Sequence, residues 1–574
     1  MEQVNLRVAL AQLNTVVGDV AGNSRKVLEA IHGSADARAD ILVAPELALS
    51  GYPPEDLLLR PSFARESRQA LEDLAPAVRR GVAIIGFVEW DRDCFNSVAV
   101  VADGRVQAIY RKRFLPNYGV FDEARYFQAG QSTTVVEVNG SRVATAVCED
   151  VWYPTAASLD LVAARPDLVA VASASPYHQG KGDRREAMLA TRAADAGAAL
   201  AFCNQVGGQD ELVFDGRSAV FDSTGEVVAR ASEFEEELLV AELEPEAGER
   251  RRLREPLVRR LPGDGPRDAT PLEAVPPEPG PPADRRVAPT LEPEAQVWHA
   301  LRVGVRDYVE KNGFPGVVIG LSGGIDSSLT AAIAVDAIGA DRTLGVSLPS
   351  RFTSDESRVG ASDLAEALGI RLVEVPIAGS VDALEEALEE VLSGHERDVT
   401  EENLQARARG TLLMAISNKL GHLVLATGNK SEMSVGYSTL YGDMVGGFAP
   451  LRDVSKTWVY RLCRWRNSSE GRNVIPPAVI ERPPTAELRP DQLDTDSLPA
   501  YDVLDPILAD YVENDLTPDE LVGAGHAPGV VERVVRLVDR AEYKRRQGPI
   551  GIKITPRAFG KDRRMPITIG HAEN

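Results

Sequence analysis

The sequence is short of basic charge, cysteine and histidine, and it has no long apolar run. Its 63 lysines and arginines face 86 aspartates and glutamates, a net charge of −23. So acidic a chain argues against a nucleic-acid groove, because phosphate binding needs clustered lysine and arginine. The four cysteines (94, 148, 203 and 463) are too far apart to build a disulfide framework, which points to a reducing cytoplasm. The seven histidines include no pair at metal-ligand spacing. No apolar stretch approaches the roughly 20 residues that a membrane-spanning helix requires. The start, Met1-Glu-Gln-Val-Asn-Leu-Arg-Val8, runs straight into a strand and lacks a signal-peptide layout. What the chain does have is length: 574 residues exceed what one hydrophobic core serves, so two or more domains are expected.

One stretch organises the rest: Val317-Val-Ile-Gly-Leu-Ser-Gly-Gly-Ile-Asp-Ser-Ser328. Residues 317–321 form a short β-branched run, the pattern of a buried strand, and residues 327–338 carry an amphipathic helix pattern. A strand that breaks into glycines and opens a helix makes an anion cradle. The glycines let backbone approach an oxygen, and the helix start offers free N–H groups. Asp326 at its mouth suits a divalent cation. No Lys-Ser or Lys-Thr follows the glycines, so this is not a Walker loop. The string resembles the pyrophosphate loop of the ATP pyrophosphatases, which cleave ATP between its α and β phosphates.

In the first half, strands are expected at 6–13, 40–45, 82–88, 143–148, 168–175 and 199–204. Helices are expected at 23–32, 63–79 and 184–196. Asp103-Gly104, Asn139-Gly140 and Ser223-Thr-Gly225 mark hairpin turns. This mixture predicts a sheet sandwich flanked by helices. Glu46, Lys112 and Cys148 each fall at a strand end. A carboxylate, an ammonium and a thiol that converge there can do covalent chemistry on an amide. The thiol attacks, the carboxylate takes its proton, and the ammonium stabilises the oxyanion and depresses the thiol pKa. The strings Pro45-Glu46-Leu47, Arg111-Lys-Arg-Phe-Leu-Pro-Asn-Tyr118 and Val147-Cys-Glu-Asp-Val-Trp152 resemble, in order, the three motifs of the nitrilase family of C–N hydrolases. That resemblance implies an α-β-β-α fold and a Glu46–Lys112–Cys148 triad. Glutaminase members of the family hold glutamine with residues that match Tyr118, Ser175 and Lys181.

Residues 245–293 are rich in Pro, Gly, Glu and Arg and bury too little apolar surface for a domain, so an extended surface connector is expected, with a partly ordered linker that touches both domains as the alternative. The boundaries that follow are 1–244 for the first domain and 294–574 for the second. The second half alternates strands (317–321, 344–348, 371–377, 422–426) with helices, the pattern of a doubly wound parallel sheet with ligands at the strands' carboxyl ends. Thr353-Ser-Asp-Glu356 offers a capping box. Glu432 ends the last strand's loop, so Asp326 and Glu432 form a carboxylate pair suited to Mg²⁺. The tail, residues 550–569, is basic and proline-punctuated, and is expected to order only on binding or at a subunit contact.

This half resembles the NAD(+) synthetase family. The matching strings are Pro349-Ser-Arg-Phe-Thr-Ser354, Glu402-Asn-Leu-Gln-Ala-Arg407, Ala426-Thr-Gly-Asn-Lys-Ser-Glu432, Tyr441-Gly-Asp443, Pro484-Thr-Ala-Glu-Leu488 and Tyr543-Lys-Arg-Arg546. The resemblance implies ATP contacts at Gly320, Leu321, Ser322, Gly323, Gly324, Ile325, Asp326, Ser327, Ser328, Thr427, Lys456 and Thr485. It implies deamido-NAD contacts at Asn403, Arg407, Glu432, Asp443 and Lys544, and Mg²⁺ at Asp326 and Glu432. Ammonia-using members carry Lys where this chain has Leu440, whereas the glutamine-using branch shares its Thr-Leu-Tyr-Gly-Asp form. The two resemblances together imply a ligase that amidates deamido-NAD through an adenylate, fed by ammonia from glutamine through a covered passage. A homo-oligomer, dimeric or higher, is also implied. Another glutamine-fed amidotransferase or a non-catalytic scaffold remains open at this point. Pro484-Thr485-Ala-Glu, Tyr441-Gly-Asp443 and the acidic balance weigh against the former, and the intact Glu46, Lys112, Cys148 and Asp326 weigh against the latter.

Overall fold

The structure, a computed structural model, describes residues 5–254, 268–278, 280, 281, 283, 285–490, 492–568 and 570. The chain divides into two units. The first runs to Gln209 and resumes over Val213–Leu291; the second comprises Asp210–Leu212 and the residues from Glu292 onward.

The first unit carries β1 (Leu6–Gln12), β2 (Ile41–Val43), β3 (Val82–Trp90), β4 (Cys94–Ala102), β5 (Arg105–Arg111), β6 (Val135–Val138), β7 (Ser141–Val147), β8 (Leu168–Ser173), β9 (Ala199–Asn204), β10 (Val206–Gln209), β11 (Leu212–Asp215), β12 (Ala219–Phe221), β13 (Val227–Arg230), β14 (Glu237–Leu243) and β15 (Thr270–Pro271). They build a six-stranded sheet, β14-β1-β2-β3-β4-β5, and a seven-stranded sheet, β13-β12-β9-β8-β7-β6-β15, with β10 and β11 as a separate ribbon.

Strand alternation explains the layers, since successive side chains point to opposite faces. Leu6, Val8 and Leu10 of β1 enter a core shared with Val143, Leu168, Ala170 and Ala172 of the other sheet. Ala9 and Ala11 face outward, onto Val27 and Ile31 of the helix Val20–Asp36 and Leu71 of the helix Pro61–Leu74. Val169 and Val171 of β8 likewise leave the shared core for Leu189 and Ala193 of the helix Lys181–Ala196. The result is the expected α-β-β-α sandwich. Positive φ at both Asp103 and Gly104, and at both Asn139 and Gly140, makes the two tight hairpin turns.

Two expectations change in this unit. The strand β14 is absent from the sequence reading, yet it pairs with β1 along its whole length, from Leu6↔Leu243 to Gln12↔Glu237. Its sequence, Glu-Leu-Leu-Val-Ala-Glu-Leu, is made largely of good helix formers, and the edge of β1 overrides that preference. The expected connector is also not extended throughout. Pro245–Arg254 is a helix, fixed by Arg252 donating to the Pro166 carbonyl (2.6 Å) and pairing with Asp167 (2.9 Å). Further on, β15 pairs with β6, and Arg230 bridges to Val287. Residues 255–267 of the connector lie outside the described residues.

The second unit holds β16 (Val317–Gly320), β17 (Thr343–Ser347), β18 (Arg371–Glu374) and β19 (Leu423–Leu425), all parallel, in the order β18-β17-β16-β19. The chain winds outward from β16 to β18 and then returns to β19 on the other side of β16. The switch point at which doubly wound sheets bind ligands therefore falls at the carboxyl end of β16. The glycine string occupies that point, and its helix, Ile325–Ile338, begins two residues earlier than the periodicity suggests. Ser354, not Thr353, caps the helix Asp355–Leu368, accepting from the Ser357 N–H. Helices Tyr501–Leu508 and Pro528–Arg540 form a second core around Leu504, Val534 and Val538.

The tail departs most from expectation. Gly551–Thr555 is buried, because the Asp453 carboxylate accepts from the N–H groups of Ile554 and Thr555 (both 2.8 Å). This stretch is ordered within its own unit. Ile569, the last residue of the expected tail, lies outside the described residues. Among the described residues, no helix is long and apolar enough to cross a membrane.

Candidate active sites

In the first unit, Glu46 follows β2, Lys112 follows β5 and Cys148 follows β7, and all three are buried. Cys148 opens a tight turn, Cys148–Val151, and holds φ at +40°, a left-handed strain for a side chain with a Cβ. Lys112 Nζ donates to Glu46 Oε1 (2.7 Å) and to Glu123 Oε1 (2.8 Å). Asn96 Nδ2 donates to the same Glu46 oxygen (2.7 Å), and the Ala174 N–H to the other (3.0 Å). Tyr52 donates its hydroxyl to Glu123 (2.8 Å). Sequence reasoning misses Glu123, Asn96 and Tyr52, which have no spacing relation to the three strand ends.

Burial strips water from these charges and sets their proton affinities. It opposes the Lys112 ammonium, but Glu123 and Glu46 outweigh it and hold that pKa well above its ordinary value. Burial raises the Glu123 carboxyl, with Lys112 pulling it back and Glu46 adding to the rise. The Cys148 thiol corrects the expectation of a depressed pKa. Burial drives it up, Glu46 adds to that, and Lys112 offsets only part. The resting sulfur is therefore a thiol, and attack requires a base to take its proton. The other cysteines are also buried, and burial pushes the Cys94 thiol up to about 12.

Around this centre, Tyr118 donates its hydroxyl to Glu149, the residue after the thiol, and packs edge-on against Phe121. Lys181 lies over the rings of Trp152 (5.5 Å) and Phe121 (5.9 Å), and donates to the Pro176 carbonyl (2.7 Å). Burial, with the charge of Arg185, pushes the Lys181 ammonium down to about 8. The backbone N–H of buried Ser175 donates to Asn204 (2.8 Å).

In the second unit, a cavity of about 300 Å³ opens at the switch point. Its walls include Gly320, Leu321, Ser322, Gly323, Gly324, Ile325, Asp326 and Ser327, together with Thr427, Glu432, Asp443, Lys456 and Thr485. Ser328 is fully buried behind the loop and donates to the Gly324 carbonyl (2.9 Å). Gly323 sits at φ +75°, and a Cβ there would lie 2.1 Å from the Ser357 carbonyl oxygen, so only glycine fits.

Lys456 Nζ bridges Asp326 Oδ2 (2.5 Å) and Glu432 Oε1 (3.3 Å). Asn429 joins the same two carboxylate residues. Its side chain donates to Asp326 (3.0 Å) and accepts from the Glu432 N–H (3.0 Å). Burial works against the Lys456 charge, but Asp326 and Glu432 hold its pKa well above the ordinary value. Burial raises the Glu432 carboxyl, with Lys456 opposing. It also raises Asp443, to about 6. Among the described residues, no group of three or more His, Cys, Asp or Glu is placed to hold a metal.

Of the five expected dinucleotide residues, Glu432 and Asp443 line this cavity. Asn403, Arg407 and Lys544 are not among the cavity's lining residues; they hold the 436–443 loop. Arg407 donates to the Leu440 carbonyl (3.2 Å), and Lys544 to the carbonyls of Gly436 (2.7 Å) and Ser438 (2.8 Å). Thr439 donates its hydroxyl to Asn403 and its N–H to Asp443, both at 2.7 Å. Arg409 and Arg482, which sequence reasoning passes over, do line the cavity.

Residues 7–252 match the family model described as carbon-nitrogen hydrolase, and residues 297–548 match that described as NAD synthase. The chain is 49% identical over 572 residues to a glutamine-dependent NAD(+) synthetase of Thermotoga maritima, covering 98% of each. It is 45% identical over 566 residues to one of Aquifex aeolicus, covering 98% of this chain and 99% of that one. The solved glutamine-dependent NAD+ synthetase of Acinetobacter baumannii in complex with ADP aligns with a TM-score of 0.75 at 43% identity, covering 100% of both chains.

Proposed function

This chain belongs to the glutamine-dependent NAD(+) synthetase family, and from that premise we propose how its two units divide the reaction. The enzyme amidates deamido-NAD to NAD at the expense of ATP, with nitrogen from glutamine, forming AMP, diphosphate and glutamate.

In the proposed first half, Cys148 Sγ attacks the glutamine side-chain amide carbon while Glu46 takes the thiol proton. Lys112 supports the negative charge that develops on the amide oxygen. The C–N bond then breaks, Glu46 returns the proton to the leaving nitrogen, and ammonia departs from a thioester. Water, deprotonated by Glu46, releases glutamate. Tyr118, Ser175 and Lys181 are proposed to hold the amino-acid end of the substrate, with the Lys181 ammonium facing its carboxylate.

In the proposed second half, the loop from Gly320 to Ser328 receives the ATP phosphates, with Thr427, Lys456 and Thr485 as further contacts. A nicotinate carboxylate oxygen attacks the α phosphorus, diphosphate leaves, and ammonia displaces AMP from the resulting adenylate. Asn403, Arg407, Glu432, Asp443 and Lys544 are proposed to shape the dinucleotide side. Asp326 and Glu432 already converge on one cation, the Lys456 ammonium, and offer the hard oxygen donors that Mg²⁺ prefers. They would hold Mg²⁺ arriving with ATP, whose charge neutralises the phosphates. At neutral pH free ammonia is mostly non-nucleophilic ammonium, so its transfer is proposed to be shielded from water. Homo-oligomerisation is proposed on the family resemblance alone.

The observation that carries this reading is the buried Lys112–Glu46 contact of 2.7 Å beside a left-handed cysteine turn. Incubation with ATP, glutamine and deamido-NAD is expected to yield NAD, AMP, diphosphate and glutamate. Cys148→Ala should abolish synthesis from glutamine and spare synthesis from high ammonia. Loss of both together would overturn the division into two centres.

A further inference from the structure

Asp150 has no part in the chemistry described above, yet it is fully buried two residues after the thiol. An ionised carboxylate offers about four acceptor sites, and each one here has a donor. Oδ1 accepts from the backbone N–H groups of Arg113 (3.1 Å) and Phe114 (2.8 Å). Oδ2 accepts from the Tyr110 hydroxyl (2.8 Å) and from the backbone N–H of Val147 (3.0 Å). The origin of these donors carries the argument. Tyr110, Arg113 and Phe114 flank Lys112 on both sides, where β5 leaves one sheet. Val147 is the last residue of β7 in the other sheet, and its peptide leads directly into Cys148.

We propose that Asp150 is the positioning residue of the amide-hydrolysing centre, a clasp between the segment that carries Lys112 and the turn that carries Cys148. The inference rests on the reading of Cys148 as nucleophile and Lys112 as its oxyanion support. Three of the four bonds go to backbone, so the clasp constrains main chain, which sets where both side chains start. It also stabilises the strained turn. Cys148 at φ +40° persists only if its surroundings over-determine it, and Val147 N–H pulled onto Asp150 closes the ring of atoms around that residue. A solvated loop would meet its backbone needs with water and would not require a buried carboxylate. Burial raises the Asp150 carboxyl above its ordinary value, and the donors from Phe114 and Tyr110, the Lys112 charge and the Val147 N–H offset only part of that rise.

Asp150→Asn keeps the shape and replaces one pair of acceptors with an NH₂ group. The Tyr110 hydroxyl can reverse its role and accept, whereas a backbone N–H cannot. The amide is therefore expected to turn its NH₂ toward Tyr110 and Val147, keep Arg113 and Phe114, and release the N–H before Cys148. Tyr110→Phe removes one bond and leaves all the backbone bonds in place.

The test measures glutamine-fed synthesis, ammonia-fed synthesis, and the iodoacetamide alkylation rate of Cys148 against pH by peptide mass spectrometry, all on the full chain. For Asp150→Asn, kcat for glutamine is expected to fall by about 10²-fold, the cost of an ångström-scale misplacement. KM should change by less than about threefold and ammonia-fed synthesis should persist. The alkylation profile should shift, because the thiol's distance to Glu46 and Lys112 has changed. Tyr110→Phe should lose less than about tenfold in kcat with the same KM. A glutamine-fed kcat within threefold of the parent overturns the proposal. So does a loss in which both syntheses fall together with an unchanged alkylation profile, which marks a general structural role. If Cys148→Ala itself retains glutamine-fed synthesis, the failure lies with the nucleophile assignment and not with the clasp.

Discussion

Lys430→Met tests whether the helix that carries Glu432 depends on a buried charge cluster whose own residues are not among those that line the cavity. Lys430 Nζ sits between Asp453 Oδ1 (2.9 Å), Glu513 Oε1 (2.7 Å) and the Thr555 hydroxyl (2.7 Å). Side-chain exposure is 3% for the lysine, 5% for Asp453 and 18% for Glu513. Methionine has nearly the same length but no charge, so it leaves two carboxylates facing each other. Removing one partner of a buried ion pair costs about 3–5 kcal/mol, and the partial exposure of Glu513 favours the lower end. At 2–4 °C per kcal/mol for a domain of this size, the expected fall in melting temperature is roughly 6–12 °C.

The pH dependence has a definite sign. The folded-state pKa of Lys430 is raised, because Asp453 and Glu513 outweigh the burial that opposes its charge. Its stabilisation is therefore complete at any pH below the ordinary lysine value and is lost only in strong alkali. Burial already raises the Glu513 carboxyl, with Lys430 opposing. In the variant that opposition disappears, so the penalty is greatest at alkaline pH and shrinks as pH falls through the raised pKa. Scanning calorimetry of parent and variant at pH 8 and pH 5.5 should show the gap narrow in acid. The lysine leads the helix Lys430–Val435, which carries Glu432, so AMP formation should fall while glutaminase activity persists. A shift below 2 °C, or a gap that widens in acid, would refute the reasoning.

Three further expectations concern the sites themselves. Lys181, pushed down to about 8, is charged below that pH and neutral above it. KM for glutamine should therefore rise as pH climbs through 8, and Lys181→Met should show a high, flat KM; a flat parent profile from pH 7 to 9 would remove Lys181 from carboxylate binding. Gly323→Ala places a Cβ 2.1 Å from the Ser357 carbonyl oxygen at φ +75°, and should abolish AMP formation from ATP without touching glutamine hydrolysis; retained AMP formation would mean the loop is not the phosphate cradle. Glu123→Gln leaves Lys112 with Glu46 as its one carboxylate and should cut glutamine-fed kcat by at least about tenfold, measured against ammonia-fed synthesis as the control.

The parts of the fold that are legible in the chain are those whose cause is local. Residues 317–328 state their own geometry, because strand, glycines and helix follow one another without a gap. The hairpins at Asp103-Gly104 and Asn139-Gly140 are legible for the same reason. Glu46, Lys112 and Cys148 are recoverable because each lies within a distinctive string at a strand end. β14 is not, since its composition suits a helix and only the free edge of β1 makes it a strand. The tail misleads in the same way. Its basic, proline-punctuated composition predicts disorder, and it takes the Asp453 carboxylate, about a hundred residues away, to capture Ile554 and Thr555.

Counter-charges are the extreme case of that rule. A buried ammonium cannot stay charged without carboxylates, since desolvation costs several kcal/mol per ion. Lys112, Lys430 and Lys456 are all buried, so physics obliges each to have acidic partners. It does not say where along the chain those partners stand. Lys112 takes Glu123 from 11 residues away, Lys430 takes Glu513 from 83, and Lys456 takes Asp326 from 130. Nothing in spacing or periodicity selects Glu123 or Glu513 from the chain's 86 carboxylates, and although the glycine string marks Asp326, nothing there pairs it with Lys456, because the choice is made by the packing of elements that the chain joins only remotely. The same holds for Asp150. It stands in plain view beside the thiol, and its meaning lies entirely in the backbone N–H groups beside Lys112, which a different sheet delivers to it.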